Sequence, residues 1–281
     1  MFCWATTTVL VRYIRDDAPP MALSFWRLVF AFLFLLPFTY KRIRSQFSII
    51  CDNWRLIGLL SILLWFGGNA LLFLSLQFTI AINAAVINSV EPVIIIILAS
   101  ILFRDQFTVR QAFGAALSLG GVLVLIAAGS LEKLIGLNFN LGDIIVFCAY
   151  ISWALYAVLL RKIPQQLDPM VVVTLMLGFG IPILLFPYLI ESFYFMPIQF
   201  NWLTIGTITY LGLFSGAISM IGWVYGIKNL GPIRAGQFLH LIPAFTIVLA
   251  IALLGETLRD YHFFGIFLIS VGIYLTSIRN N

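Results

Sequence analysis

Two long stretches of this 281-residue chain, 56–90 and 192–227, contain no Asp, Glu, Lys or Arg. A membrane-spanning helix needs about 20 mostly apolar residues, because the hydrocarbon layer is about 30 Å thick and a helix rises about 1.5 Å per residue. Each stretch is therefore long enough for more than one span if a turn falls inside it. Shorter uncharged runs cover 111–131, 170–190, 235–255 and 261–278. The chain is 62% apolar and 10% charged, with a mean hydropathy of +1.07. A soluble domain averages about 45–50% apolar and about 25% charged, and a chain of this length has too little interior to hide the excess. Lipid is the solvent that fits. This excludes a soluble enzyme, a nucleic-acid binder and a disordered chain. Runs such as Ile94-Ile95-Ile96-Ile97-Leu98 are apolar on every face, so the spans are helices and not the alternating strands of a barrel.

Breaks at charge clusters and at Pro, Gly and Asn positions predict ten spans, near 2–14, 21–40, 56–75, 81–103, 109–129, 142–161, 170–190, 202–227, 233–254 and 261–278. With this count, alternate loops carry Lys41, Arg42, Arg44, Arg55, Arg104, Arg110, Arg161, Lys162, Lys228, Arg234 and Arg279 on one side, against Arg12, Arg15, Lys133 and Arg259 on the other. Lys and Arg accumulate on the cytoplasmic side, so both termini are expected there. The net charge of +5 thus reflects orientation and not a nucleic-acid partner. Cys3, Cys51 and Cys148 are scattered and form no disulfide or metal-binding framework. No metal and no cofactor are expected. The sequence leaves the oligomeric state open, and a monomer is compatible with it.

The halves of the chain resemble each other. At an offset of 149, Trp4, Arg12, Pro20 and Met21 match Trp153, Arg161, Pro169 and Met170. At an offset of 151, Ala84, Pro92, Asp105, Gly114 and Gly121 match Ala235, Pro243, Glu256, Gly265 and Gly272. The repeat lays spans one to five on spans six to ten and divides the chain at 1–130 and 131–281. Five is odd, so the second unit is expected upside down relative to the first, a plan that recurs in secondary transporters. Only three residues precede Trp4, whereas span six has about eleven before Trp153. Span one is therefore expected to be truncated.

The segment Ala84-Ala85 through Glu91-Pro92 to Phe103-Arg104-Asp105 resembles the "AA…EP…lfgE" stretch of the EamA-like drug/metabolite transporters. Its counterpart runs from Gly231-Pro232-Ile233-Arg234-Ala235-Gly236 through His240-Leu241-Ile242-Pro243 to Leu254-Gly255-Glu256-Thr257-Leu258. Gly142-Asp143 leading to Trp153-Ala154-Leu155-Tyr156, and Phe25-Trp26-Arg27, are also similar to family motifs. The resemblance covers nearly the whole chain. It implies an all-α integral membrane protein, ten transmembrane helices in two inverted five-helix repeats, and export of small metabolites across the bacterial inner membrane. Asp105 departs from the family's usual Glu.

Ionisable groups inside a bilayer cost several kcal/mol unless they are paired or face water. Glu91 lies near the middle of span four, beside Pro92 and three residues after Asn88. It could hold a substrate ammonium or take up a proton; the plainer reading is a neutral acid bonded between helices. Pro92 lacks an N–H and frees a carbonyl at the same depth. In span nine, Gln237 and His240 precede Pro243 with similar spacing. His240 is a second proton-coupling candidate, or a packing histidine. Arg27 is read chiefly as structural, with snorkelling or carboxylate binding as alternatives. Asn69, Gln77, Ser215 and Ser219 are interhelical hydrogen-bonding positions, Asn69 also a binding candidate. Trp54 and Trp202 are interface anchors. Trp65, Trp153, Tyr156, Trp223 and Tyr225 lie deeper and could line an apolar cavity for an amphipathic or aromatic solute, or simply pack. Gly67-Gly68, Gly114, Gly120-Gly121, Gly265 and Gly272 are close-approach positions. Gly178, Gly180, Pro182 and Pro187 suggest a bent helix.

The leading functional expectation is a secondary transporter that exports small amphipathic metabolites, amino acids or their relatives first, by alternating access. No GxxxxGK[ST] motif is present, so ATP is not the direct energy source. The alternatives are efflux of drug-like organic cations, with Glu91 as counter-ion, and a membrane-embedded enzyme. The last lacks a nucleophile–base or metal constellation.

Overall fold

The computed structural model describes residues 1–14, 17–75, 78–79, 81–106, 108–136, 140–254 and 259–277. Gln77, Arg15, Arg279, the Gly255–Leu258 part of the motif, and the side chains of Arg12 and Lys133 lie outside what is described. Among the described residues every regular element is a helix, and eight helices are long and apolar enough to cross a membrane. The chain is an all-α, multi-pass membrane protein.

Ten helical segments follow the expected order. They are α1 (Phe2–Tyr13), α2 (Pro20–Ser45), α3 (Phe47–Ser61, a π-helical stretch Ile62–Ala70, then Leu71–Ser75) and α4 (Ala81–Ser89 and Glu91–Phe103), followed by α5 (Val109–Ile126). The second set is α6 (Leu141–Leu160), α7 (Pro169–Tyr194), α8 (Trp202–Tyr210, a π-helical stretch Leu211–Ile218, then Ser219–Leu230), α9 (Pro232–Gln237, a 3-10 turn Phe238–His240, then Leu241–Leu254) and α10 (Asp260–Ser277). A short helix, Leu131–Ile135, precedes α6. α1 has 12 residues against 20 in α6.

Three boundaries differ from the expectation. α2 continues to Ser45 and α3 begins at Phe47, so residues 41–55 are helical apart from a turn at Gln46, although they carry Lys41, Arg42, Arg44, Asp52 and Arg55. Apolar counting finds the part of a helix that lies in lipid and misses the turns that project into water. α7 also runs on to Tyr194 and stays one helix through Pro182 and Pro187.

Helix starts follow from local chemistry. Thr108 and Gln111 form a capping box at α5, as do Asn140 and Asp143 at α6. Asp168 caps α7 and Asn201 caps α8 through their side chains. Each satisfies backbone donors that the first turn leaves free.

Loop contacts sort the two ends of the bundle. At one end Arg42 meets Asp168 at 2.6 Å and Arg161 meets Asp105 at 2.5 Å. There, too, the Lys228 ammonium donates to the carbonyls of Pro164, Gln165 and Leu167 at 3.0, 3.2 and 2.6 Å. At the other end Gln199 N–H donates to Asp17 O. Glu191 there accepts from the N–H groups of Met21 and Ala22 at 3.1 and 2.8 Å. The loops expected on one side of the membrane therefore do meet.

The main core is shared by α2, α3, α4, α6, α7 and α8. α5 and α10 pack side by side, and their glycines set the spacing. A Cβ on Gly114 would lie 2.7 Å from Gly272 O, and one on Gly121 would lie 2.6 Å from Gly265 O. The pairing 114 with 272 and 121 with 265 means that the two helices run antiparallel.

Candidate functional site

Both halves contain interrupted helices at matching places. The π-helical stretches of α3 and α8 begin at Ile62 and Leu211, which the 149-residue offset superposes. α4 breaks between Ser89 and Glu91, and α9 tightens at Phe238–His240; the 151-residue offset sends the break at Val90 to Leu241, directly after that turn. Pro92 has no N–H, and Val93 N–H turns to Val90 O, so Ser89 O loses its usual helical partner. His240 takes that place, with Nε2 3.0 Å from Ser89 O. The two breaks thus meet.

A carbonyl only accepts, so Nε2 carries a proton. In the neutral ring Nδ1 then accepts, and Ser118 Oγ of α5 lies 2.8 Å from it. Ser118 Oγ is also 3.1 Å from Ala115 O and 3.4 Å from the Gln237 side-chain oxygen. His240, Gln237 and Ser118 are all buried. The Gln237 Nε2 atom is buried without a hydrogen-bond partner among the described residues. Beside this group a cavity of about 270 Å³ opens between α4, α5 and α9, with Asn88, Ser89, His240 and Thr246 as its polar lining.

Glu91 is buried and does not line that cavity. It starts Glu91–Phe103, the part of α4 that packs against α6. The break at Val90 separates it from Asn88, which three-residue spacing on an unbroken helix would have put on the same face. Among the described residues Glu91 has no hydrogen-bond or ion-pair partner.

The remaining candidates gather around the π-helical stretches. The buried Trp65 donates from Nε1 to Met176 O of α7 at 3.0 Å, with Gly180 against its ring. Asn69 donates to Leu64 O at 2.9 Å and accepts from Arg27 Nη2 at 2.9 Å. Trp153 lies flat on Gly68, where a Cβ would be 2.0 Å from its Nε1, and its ring centroid is 5.1 Å from that of Tyr150. Trp223 is buried and meets Trp4 edge-on at 5.7 Å. The Tyr156 hydroxyl is buried without a partner among the described residues. Ser219 donates to Phe214 O, and Ser215 O accepts from Trp4 Nε1. Tyr225 is 61% exposed and faces outward, as do Trp54 and Trp202.

The structure therefore brings together Asn88, Gln237 and His240 at one centre, and Trp65, Asn69 and Trp153 at another, with Glu91 on the α4–α6 side. Ser118 and Asp143 are additions. Asp143 is buried at the α6 N-terminus and accepts from Asn140 N at 2.7 Å, from Asn83 Nδ2 at 3.0 Å and from the Thr79 hydroxyl. Its signal in the sequence is an acid just after a glycine at the head of an apolar run. Ser118 left only the trace of one hydroxyl among Ala, Leu and Gly. Among the described residues no group of three or more His, Cys, Asp or Glu is placed to hold a metal ion.

A second, larger cleft of about 530 Å³ sits at the charged end, with Asp105, Arg161, Lys228 and Arg234 among its lining.

Comparison with known proteins places this geometry. A Bacillus subtilis (strain 168) protein named uncharacterized transporter YyaM is 29% identical over 274 residues, covering 95% of this chain and 88% of that protein. An uncharacterized transporter of Archaeoglobus fulgidus is 24% identical over 285 residues, covering 100% and 96%. The uncharacterized inner membrane transporter YedA of Escherichia coli (strain K12) is 26% identical over 287 residues, covering 97% and 88%. A solved crystal structure superposes with a TM-score of 0.81 over 98% of this chain and 92% of its own, at 17% identity, a likeness of fold alone. The sequence matches the EamA-like transporter family over residues 1–127 and 140–278. This multi-pass membrane protein belongs to the EamA-like transporter family.

Proposed function

We propose that the protein is a secondary transporter that exports small amphipathic metabolites, amino acids first among them, across a bacterial inner membrane by alternating access. The observation that carries this reading is the meeting of two broken helices at His240 and Ser89. Discontinuous helices in corresponding positions of two halves mark substrate and ion sites in such transporters, because they expose backbone groups away from lipid. The halves are 1–130 and 131–281, inverted, with both termini in the cytoplasm; the Lys/Arg-rich loops that meet at one end support that orientation.

Size separates the substrate classes. Pockets for drug-sized molecules run to about 300–1,000 Å³, and the cavity at Asn88 and His240 is about 270 Å³. That favours a small solute over a bulky cation. Glu91, outside this cavity on the α4–α6 side of the helix break, supplies the partner for an ammonium. His240 is the proton carrier: when Nδ1 gains a proton, Ser118 accepts from it and turns its own hydrogen to Ala115 O or to Gln237, 3.1 and 3.4 Å away. One hydroxyl rotation accommodates the charge without moving the backbone.

The test is accumulation of labelled amino acids by everted vesicles, with and without a proton gradient. Uptake driven by the gradient supports coupled export, and uptake without it supports facilitated export. If Glu91→Gln leaves flux and its pH dependence untouched, the carboxyl role is lost. Resistance to organic cations that disappears with the same substitution supports cation efflux instead.

A further inference from the structure

Arg27 is the intramembrane charge that the reading above does not use. It lies in the first third of α2, where a guanidinium costs several kcal/mol unless it is paired or wetted. Its five N–H donors make a planar fork that matches a carboxylate. The structure gives that fork one neutral partner, Asn69 Oδ1, at 2.9 Å from Nη2. Among the described residues Nε is buried with no partner, and no acid pairs with it. Asn69 is itself fixed by its bond to Leu64 O, so the guanidinium is aimed while most of its donors stay free.

Aromatic rings adjoin this anchor. Asn69 follows Gly68, which carries the Trp153 ring. Trp153 packs on Tyr150 of α6, and α6 packs against the part of α4 that starts at Glu91. Arg27 and Glu91 also lie at similar depths. At about 1.5 Å per residue, Arg27 lies about 10 Å in from the start of α2 and Glu91 about 15 Å in from the start of α4. Both helices start at the same end of the bundle.

We infer that Arg27, positioned by Asn69, binds the carboxylate of the transported solute. This rests on the transporter reading above and adds the group that tells an amino acid from an amine. The carboxylate accepts from Nε–H and a terminal N–H of Arg27 and leaves the bond to Asn69 intact.

The experiment is competition binding to the purified full chain with three molecules that share one ring: phenylalanine, phenethylamine and 3-phenylpropionate. The wild type is expected to bind phenylalanine at least about tenfold better than either half-molecule, because a site that hydrogen-bonds a polar group strongly rejects the analogue that lacks it. Arg27→Gln erases the advantage over phenethylamine and leaves phenethylamine binding within about twofold. Glu91→Gln erases the advantage over 3-phenylpropionate. Asn69→Ala, a milder change should Arg27→Gln fail to fold, weakens phenylalanine binding and spares phenethylamine. If the wild type binds phenylalanine and Arg27→Gln keeps its preference over phenethylamine, the inference is overturned and the transporter reading stands. If none of the three binds the wild type, the amino-acid reading falls and takes the inference with it.

Discussion

Gly114 of α5 and Gly272 of α10 meet backbone to backbone: a Cβ on Gly114 would sit 2.7 Å from Gly272 O, and one on Gly272 would sit 2.5 Å from Gly114 O. The 151-residue offset sends Gly114 to Gly265 and Gly121 to Gly272. It therefore converts the contact 114–272 into the contact 265–121, which is also present, with a Cβ on Gly121 lying 2.6 Å from Gly265 O. Antiparallel helices whose contacts exchange in this way are what an axis lying in the membrane plane produces. This supports the inverted arrangement of the halves.

The first prediction follows from that spacing. Gly114→Val forces two backbones apart at a point where neither can yield, and overpacking of this kind costs about 1–3 kcal/mol. Thermal unfolding in detergent should show the loss. Adding Gly272→Val should cost less than the sum of the single changes, because the first has already opened the seam. Gly120→Val, at a position with nothing within 4 Å among the described residues, should be close to neutral.

At the end of the bundle that carries Glu191, Asp143 holds three donors from two segments. Asp143→Ala strands them together, and unmade buried hydrogen bonds cost about 1–3 kcal/mol each. A fall in melting temperature larger than that of any single surface substitution is expected. Asp143→Asn, which keeps one acceptor oxygen, should lose less.

Glu191 tethers α7 to the first turn of α2 by accepting from Met21 and Ala22. Glutamine offers a single acceptor oxygen and no charge. Glu191→Gln should therefore cost about 1 kcal/mol, the difference between one charge-assisted pair and one neutral bond. Equilibrium unfolding measures it.

Much of the fold was legible in residues that exclude water. Uncharged runs located the spans, and Pro20, Pro169 and Pro232 mark true helix starts. The hidden parts are those where backbone geometry departs from an ideal helix. Nothing in Ile62-Leu63-Leu64-Trp65-Phe66 announces a π-helix, because the extra residue per turn is imposed by packing: Gly67 and Gly68 lie directly under Ser152 and Trp153. The same holds at the site. Pro92 announced a freed carbonyl, but that His240 would claim it from the other half depends on how α4 and α9 cross. Asn88 and Glu91 looked like one face until the break at Val90 turned them apart.

Ser118 tests the proton pathway on its own. Ser118→Ala removes the Nδ1 partner of His240 and leaves the bond to Ser89 O. The expected outcome is a flux that persists with an altered pH profile. His240→Ala should instead abolish gradient-driven flux and cost about 1–3 kcal/mol, since Ser89 O is left unpaired. An unchanged profile in both variants would exclude His240 from coupling.

The central claim is that one pocket faces each side of the membrane in turn. It is tested by a single cysteine at Asn88, with Cys3, Cys51 and Cys148 replaced, and a membrane-impermeant thiol reagent applied to everted and right-side-out vesicles. The account predicts labelling from both sides. It also predicts that a bifunctional linker joining Asp105→Cys to Arg161→Cys abolishes labelling from the end that carries the linker alone. Labelling from one side only, unchanged by the linker and by substrate, would contradict it.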